Sequence, residues 1–278
     1  MAHLDLHLHT TYSDGTLTPE EVVAAAAGNG VTLIAITDHD EVAGIAPAQA
    51  VAAHYGVEVI SGVELNTEVG KEEVHILGYG FPEDSSLLRE GLQRRRDARL
   101  TRLDAMLRRL HALGYALQTE AVLAIAGHGS VGRPHLARAL VDAGYMPDMA
   151  TAFEKLIGNR APAYVPRLPW TPEEAIALIH LAGGVTSLAH PGKLGDPIRF
   201  LRRLKEVGLE ALEAYHSDHT PAVTQRMLGW ARQYDLAVTG GSDSHGPNGP
   251  RTVPIGAVPI PDEVTAQMRA LLSKRAGG

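Results

Sequence analysis

At 278 residues and 45% apolar content, the chain can bury a full core, either as one large domain or as a domain with an insert. No run approaches the roughly 18 apolar residues of a membrane span, and His3, Asp5, His7 and His9 interrupt any secretory leader early, so a cytoplasmic protein is expected. Cysteine is absent, which excludes disulfides and thiolate metal sites, and a net charge of −7 argues against general coating of duplex DNA.

The first strand is expected at His3-Leu4-Asp5-Leu6-His7-Leu8-His9, where polar and apolar residues alternate strictly. Residues two apart share a strand face, so His7 and His9 can chelate one ion while the leucines pack outward. Asp5 lies on the same face and is expected to orient an imidazole. The polar turn Thr10–Thr16 that follows carries Asp14 close behind the histidines.

Thr18-Pro19-Glu20-Glu21 reads as a capping box that opens a helix over Thr18–Asn29, with Gly28 and Gly30 to stop it. Val31–Ile36 is a β-branched run of strand length, and it ends in Thr37-Asp38-His39-Asp40. A helix over Ile45–Tyr55 and a strand over Val57–Ser61 follow. Glu64 comes after a bend at Gly62 and has two oxygens that can serve two ions. His75 begins the apolar run Val74–Leu77.

Residues 81–165 break this rhythm. They hold twelve Lys/Arg against nine Asp/Glu, a balance of +3 that leaves −10 for the remainder. Ser86–Leu113 reads as one long Arg-rich helix with an apolar stripe at Leu100, Leu103, Leu107, Leu110 and Leu113. Shorter helices follow, including Pro134–Ala143. The expectation is an all-helical insertion capping one side of the site, between segments 1–80 and 166–278. No aromatic residues interleave with the arginines of the long helix, so it reads as a solvated face and not a nucleic-acid groove.

The phrase Thr171-Pro172-Glu173-Glu174 repeats the first capping box. It leads again through a helix and a glycine pair to a strand, Val185–Leu188, and a histidine, His190. Further helix–strand units are expected at Ile198–Val207 with Leu209–Ala214, and at Pro221–Tyr234 with Leu236–Thr239. The strand Leu209–Ala214 runs into Tyr215-His216-Ser217-Asp218-His219. The last strand runs into Gly240-Gly241-Ser242-Asp243-Ser244-His245, where Asp243 and His245 can both face inward.

Alternating strands and helices predict a mostly parallel α/β sheet. Nine candidate ligands, His7, His9, Asp14, His39, Glu64, His75, His190, Asp243 and His245, sit near strand ends contributed by many separate units. These converge when the sheet closes into a (β/α) barrel, whereas an open doubly wound sheet spreads them too widely. Nine ligands are too many for one divalent ion, which takes four to six. A cluster of two or three metals suited to phosphate-ester hydrolysis is the consequence.

The ordered motifs His7-Leu8-His9-Thr10, Asp14-Gly15, Thr37-Asp38-His39, Glu64, His75, Ala189-His190-Pro191 and Ser242-Asp243-Ser244-His245 resemble the PHP (polymerase and histidinol phosphatase) superfamily. That resemblance implies a distorted seven-stranded (β/α)7 barrel with a trinuclear metal centre. By it, His7, His9, Glu64 and Asp243 hold one ion, Asp14, His39 and His245 a second, and His75 and His190 a third that Glu64 bridges. Asp14 stands where some relatives carry His; this harder ligand suits Mn²⁺, with Fe²⁺ and Zn²⁺ as alternatives. Asp14, His39, Glu64, Asp243 and His245 are the expected catalytic group.

Gly132-Arg133-Pro134-His135 and Tyr164-Val165-Pro166 resemble the bacterial branch acting on 3′,5′-nucleoside bisphosphates and short oligoribonucleotides. Arg133 offers a planar cation for phosphate, and Pro134 opens a helix whose free N–H groups suit an anion. His135, Lys193, His216 and His219 are further candidates for substrate contact, and His216 or His219 for protonating the leaving oxygen. The expected reaction is in-line removal of the 3′-phosphate of pAp to give AMP, with trimming of short RNA from its 5′ end at the same site. Nucleotide or short RNA is thus the expected partner, with no membrane and no obligate protein partner. The alternatives are histidinol-phosphate phosphatase, an amidohydrolase, and a catalytically silent binding module.

Overall fold

The computed structural model describes residues 3–70, 72–127, 131–166 and 170–276. Seven strands lie side by side in sequence order: β1 (His3–Leu8), β2 (Val31–Ile36), β3 (Glu58–Val69), β4 (Glu72–Tyr79), β5 (Val185–Leu188), β6 (Ala211–His216) and β7 (Ala237–Gly241). The ribbon closes on itself, because the Asp243 N–H donates to the His7 carbonyl (2.9 Å) and the His9 N–H to the Ser244 carbonyl (3.0 Å). The expected α/β barrel of seven strands is present.

Helices α1 (Pro19–Gly28), α2 (Ile45–Tyr55), α7 (Pro172–Leu181), α8 (Pro197–Glu206), α9 (Pro221–Gln233) and α10 (Asp262–Ala276) accompany the strands. Thr18 and Thr171 form the two reciprocal capping boxes, each with its Glu three residues on. Leu4, Leu6 and Leu8 alternate into the apolar core with Val22, Val23 and Ala26 of α1. The opposite face of β1 is thereby left to Asp5 and His7.

The sheet is not uniformly parallel. Strand β4 runs antiparallel to both neighbours, while the remaining pairs are parallel. Residues 70–71 alone join β3 to β4, which leaves no length for the crossover helix a parallel pair needs. The predicted bend at Gly62 is instead the interior of β3, which continues to Val69. A Cβ on Gly62 would lie 2.5 Å from the Ile36 carbonyl oxygen, so glycine there permits close strand approach and not a bend. Glu64 therefore sits within the strand, opposite Leu77.

Between β4 and α7 lie α3 (Ser86–Ala112), α4 (Thr119–Ala126), α5 (Arg133–Asp142), α6 (Met149–Ala152) and a π-helical turn (Phe153–Ile157). Leu88 and Leu92 of α3 join the barrel core, whereas Leu103, Met106, Leu107 and Leu110 join a second core with α4 and α5. One helix thus serves both packing units. Of the predicted stripe, Leu100 and Leu113 are exposed, and Met106 takes the inward position between Leu103 and Leu107.

Candidate metal centre

Because β4 is antiparallel, its N-terminal half lies at the barrel end where the parallel strands finish. His75 therefore arrives at the same mouth as His7 and His9 from β1, His39 after β2, Glu64 from β3, His190 after β5, and Asp243 and His245 after β7. Asp14 belongs to the turn after β1. Buried Asp38 fixes that turn by accepting bonds from the Thr10 N–H (2.7 Å), the Thr10 hydroxyl (2.6 Å) and the Ser13 hydroxyl (2.5 Å).

Glu64 is the centre of the arrangement. Its Oε2 lies 3.2 Å from His7 Nε2, 3.3 Å from His9 Nε2 and 3.0 Å from His39 Nδ1. Its Oε1 lies 2.8 Å from His75 Nδ1 and 3.0 Å from His190 Nε2. Asp243 Oδ1 faces His7 Nε2 at 3.5 Å and His9 Nε2 at 3.3 Å. Asp14 Oδ1 faces His245 Nε2 at 3.3 Å and His39 Nε2 at 3.8 Å. All nine expected residues meet in one place.

The donor set suits divalent metal. Imidazole nitrogens and carboxylate oxygens approach one another closely enough to share ions in the sets His9/Asp14/His39/His245, His7/His9/Asp243 and His39/Glu64/His75. His7 Nε2, His9 Nε2, Asp14 Oδ1, His39 Nδ1 and Glu64 Oε2 are buried without a hydrogen bond among the described residues. Buried polar atoms normally have partners, so this many unpaired donor atoms aimed at one volume fit a site for cations. His190 (φ 28°) and Asp243 (φ 55°) hold left-handed backbone conformations unusual for side chains of their type, as functional sites often do.

Electrostatics point the same way. Burial raises the Glu64 carboxyl, but His39, His7 and His75 outweigh it and hold it well below the usual range. Asp14 is likewise held down, against burial, by His39 and His245, and Asp243 by His7, His216 and His9. His9 is pushed up to about 10, because Asp243 and Glu64 overcome the effect of its burial. His190 goes the other way, and burial takes it to about 4. The carboxylates are therefore anionic at neutral pH, ready for cations.

A cavity of about 460 Å³ opens above the cluster, with Asn159, Lys193 and Arg251 among the residues of its rim. Lys193 Nζ reaches Asp243 Oδ2 at 3.4 Å and Asp218 Oδ2 at 3.2 Å. Arg133 stands one layer back and donates to Asn159 Oδ1 (2.8 Å) and Glu73 Oε1 (3.0 Å). His135 is not among the residues lining this cavity but lines a smaller adjoining recess with Asp14 and Arg138, and its Nδ1 accepts from the Gly132 N–H at 3.0 Å, which caps α5. His219 Nδ1 donates to the Ala214 carbonyl (2.9 Å) and its Nε2 accepts from the Gly192 N–H (3.1 Å), so both ring nitrogens tie loops together. His216 Nδ1 accepts from the Asp218 N–H (3.0 Å), which leaves the proton on Nε2, 3.3 Å from Asp243 Oδ2. These bonds engage both histidines expected to protonate a leaving group.

Three residues were not anticipated. Glu213 of β6, fully buried, accepts from His7 Nδ1 (2.9 Å) and from the His190 N–H (2.6 Å). It does for His7 what Asp5 was expected to do. Asp5 instead accepts from the Ser242 N–H (2.8 Å) and the Gly256 N–H (2.9 Å) and pins the seam. A buried glutamate at an inward position of a strand was the available signal. Arg251 Nε lies 3.0 Å from Asp243 Oδ2, and its Nη1 and Nη2 donate to Asp218 Oδ2 and Ser217 Oγ, each at 2.8 Å. It lies in an irregular loop where no periodicity marks it. Glu73 pairs with Arg133 at the cleft.

The PHP domain family model matches residues 5–145. The chain is 35% identical over 252 residues to the 3′,5′-nucleoside bisphosphate phosphatase of Chromobacterium violaceum, covering 89% of this chain and 88% of that one. It is 36% identical over 249 residues to the 5′-3′ exoribonuclease Rnm of Escherichia coli, with 87% and 85% covered. A solved structure from Bifidobacterium adolescentis, described as a metal-dependent phosphoesterase, superposes with a TM-score of 0.87 at 31% identity over 97% of this chain and 96% of that one. Family match, barrel and convergent ligand cage agree: this phosphoric ester hydrolase belongs to the PHP family.

Proposed function

We propose that the cleft removes the 3′-phosphate of 3′,5′-nucleoside bisphosphates, converting pAp to AMP, and trims short RNA from its 5′ end. The observation that carries this reading is the cage around Glu64, five imidazoles on one carboxylate, opening into a cleft with cations at its rim. The two relatives named as a bisphosphate phosphatase and an exoribonuclease support the nucleotide class of substrate.

His7, His9, Glu64 and Asp243 would hold one ion, Asp14, His39 and His245 a second, and Glu64, His75 and His190 a third, with Mn²⁺ the best match to this mixed set. Bound there, divalent ions supply Lewis acidity at phosphate oxygens and lower the pKa of water. The chain's own groups arrange the rest. Lys193 and Arg251 orient phosphate oxygens at one end of the cleft. Arg133 acts from behind Glu73 and Asn159, and reaches an anion where Glu73 gives way. Glu213 holds the His7 ring, and His216 steadies Asp243. Segments 1–80 and 166–278 build the barrel, and 81–165 forms the cap that walls the cleft.

A second reading, histidinol-phosphate hydrolysis, is favoured by one observation, that Glu72 and Glu73 also line the cleft and suit a cationic substrate. The two separate by rate. Mn²⁺-loaded protein is expected to release phosphate from pAp faster than from histidinol phosphate, and the reverse ranking sinks the nucleotide assignment. Asp243→Asn is expected to abolish turnover of both, and survival of activity would refute the role given to the cage.

A further inference from the structure

The cleft over the metal cage does not end at its rim. A second recess, a cavity of about 140 Å³, adjoins it and shares Asp14, Pro134 and Pro250 with it. The two lobes thus meet at these three residues, and Asp14, one of the cage residues, belongs to the walls of both. In the second lobe Arg138 projects from α5, beside Asn248, with Ile125 and Met149 forming an apolar side. Arg138 is exposed, and no carboxylate among the described residues pairs with it. Ile125, near the end of α4, is 36% exposed and offers apolar surface to the recess.

Resting on the phosphoesterase reading above, we propose that this recess is the subsite for the nucleotide on the 3′ side of the scissile bond of an oligoribonucleotide. A phosphodiester held over the cage carries two nucleosides, and in-line geometry sends them in different directions. The larger lobe, rimmed by Lys193 and Arg251, takes the terminal nucleotide that a bisphosphate also possesses. The next nucleotide needs a second lobe that reaches the cage, and the Arg138 recess is one. The pocket bounded by Tyr215 and Val258 shares no lining residue with the cleft and lies behind His216. Among the described residues no Phe, Tyr or Trp lines the Arg138 recess and the His135 imidazole is its one aromatic ring, so recognition there runs mainly through the phosphate and the apolar body of the sugar and base, with little dependence on sequence. The bond broken is the one between phosphorus and the 3′ oxygen of the terminal nucleotide. Water adds at phosphorus, its proton goes to that oxygen, and the shortened RNA keeps a 5′-phosphate, ready for the next cycle.

The test compares Arg138→Glu with wild type, both Mn²⁺-loaded, on pAp and on a 5′-phosphorylated pentaribonucleotide. The variant is expected to lose about ten-fold more kcat/KM on the pentanucleotide than on pAp. Equal losses on both would place the recess with the terminal nucleotide and overturn the inference, and so would no loss on either. In the turnover-blocked Asp243→Asn background, the Kd for the same labelled pentaribonucleotide is expected to rise about ten-fold on adding Arg138→Glu. An unchanged Kd overturns the subsite whatever the catalytic outcome. Wild-type protein inactive on both substrates would instead defeat the reading on which the subsite rests.

Discussion

One carboxylate, Glu64, serves five imidazoles, so the orientation of each ring has to come from elsewhere. Glu213 supplies it for His7 through Nδ1. Histidine pushes the Glu213 carboxyl down to about 2, as burial is outweighed by His7 and His216, so a full negative charge stands behind the His7 ring. Glu213→Gln is expected to weaken Mn²⁺ binding about 10- to 100-fold by calorimetry while far-UV circular dichroism stays unchanged; equal affinity would remove the positioning role. His9 gives a pH test. Its value of about 10 lies above the ordinary 6.5, so its proton stabilises the metal-free fold fully below pH 6.5, and that contribution fades as pH climbs toward 10. A metal requires the neutral ring. The rise in Tm on adding Mn²⁺ should therefore grow between pH 6.5 and about 8.5, and a constant rise would contradict the pairing. At this scale the clustering of the nine residues was legible, because their histidines and carboxylates recur at the ends of successive strands. Glu213, Arg251 and Glu73 were not, since their meaning depends on partners distant in the chain.

At the scale of elements, α3 is the joint between barrel and helical segment. Asp40, buried and at φ 52°, takes bonds from Arg99 and lies 3.5 Å from Arg95. Arg99 also donates to the Val131 carbonyl, just ahead of α5 (3.2 Å). Arg99→Met should cost about 3 kcal/mol in denaturant unfolding, at the low end for a broken buried pair because Arg95 remains beside Asp40. A loss under about 0.5 kcal/mol would mark the pair as incidental. Asp40 reads in sequence as an ordinary loop cap, and nothing local distinguishes it. The starts of helices α1 and α7 were legible to the residue because capping boxes are local chemistry. The length of β3 was not, because its second half is held by pairing with β4, a tertiary effect that outweighs the break a glycine suggests.

At the scale of the molecule, the barrel depends on its seam. A Cβ on Gly241 would fall 2.4 Å from His7 Cβ and 2.5 Å from the His7 nitrogen. Gly241→Ala should therefore both lower Tm and reduce bound Mn²⁺ in the folded fraction; a variant with wild-type metal content would show that the seam tolerates displacement. The alternation of helix and strand made a barrel legible, while the reversed direction of β4 followed only from a two-residue connection. The seam has a temporal side as well. His7 and His9 sit on the first strand, and their counterparts Asp243 and His245 lie some 236 positions later (243 − 7). As synthesis proceeds from the N-terminus, the helical segment with its own core can pack before the cage has all of its walls. Six of the nine cage residues (His7, His9, Asp14, His39, Glu64 and His75) precede the helical segment in the chain, so the cage is complete only once the turn after β7 has been added.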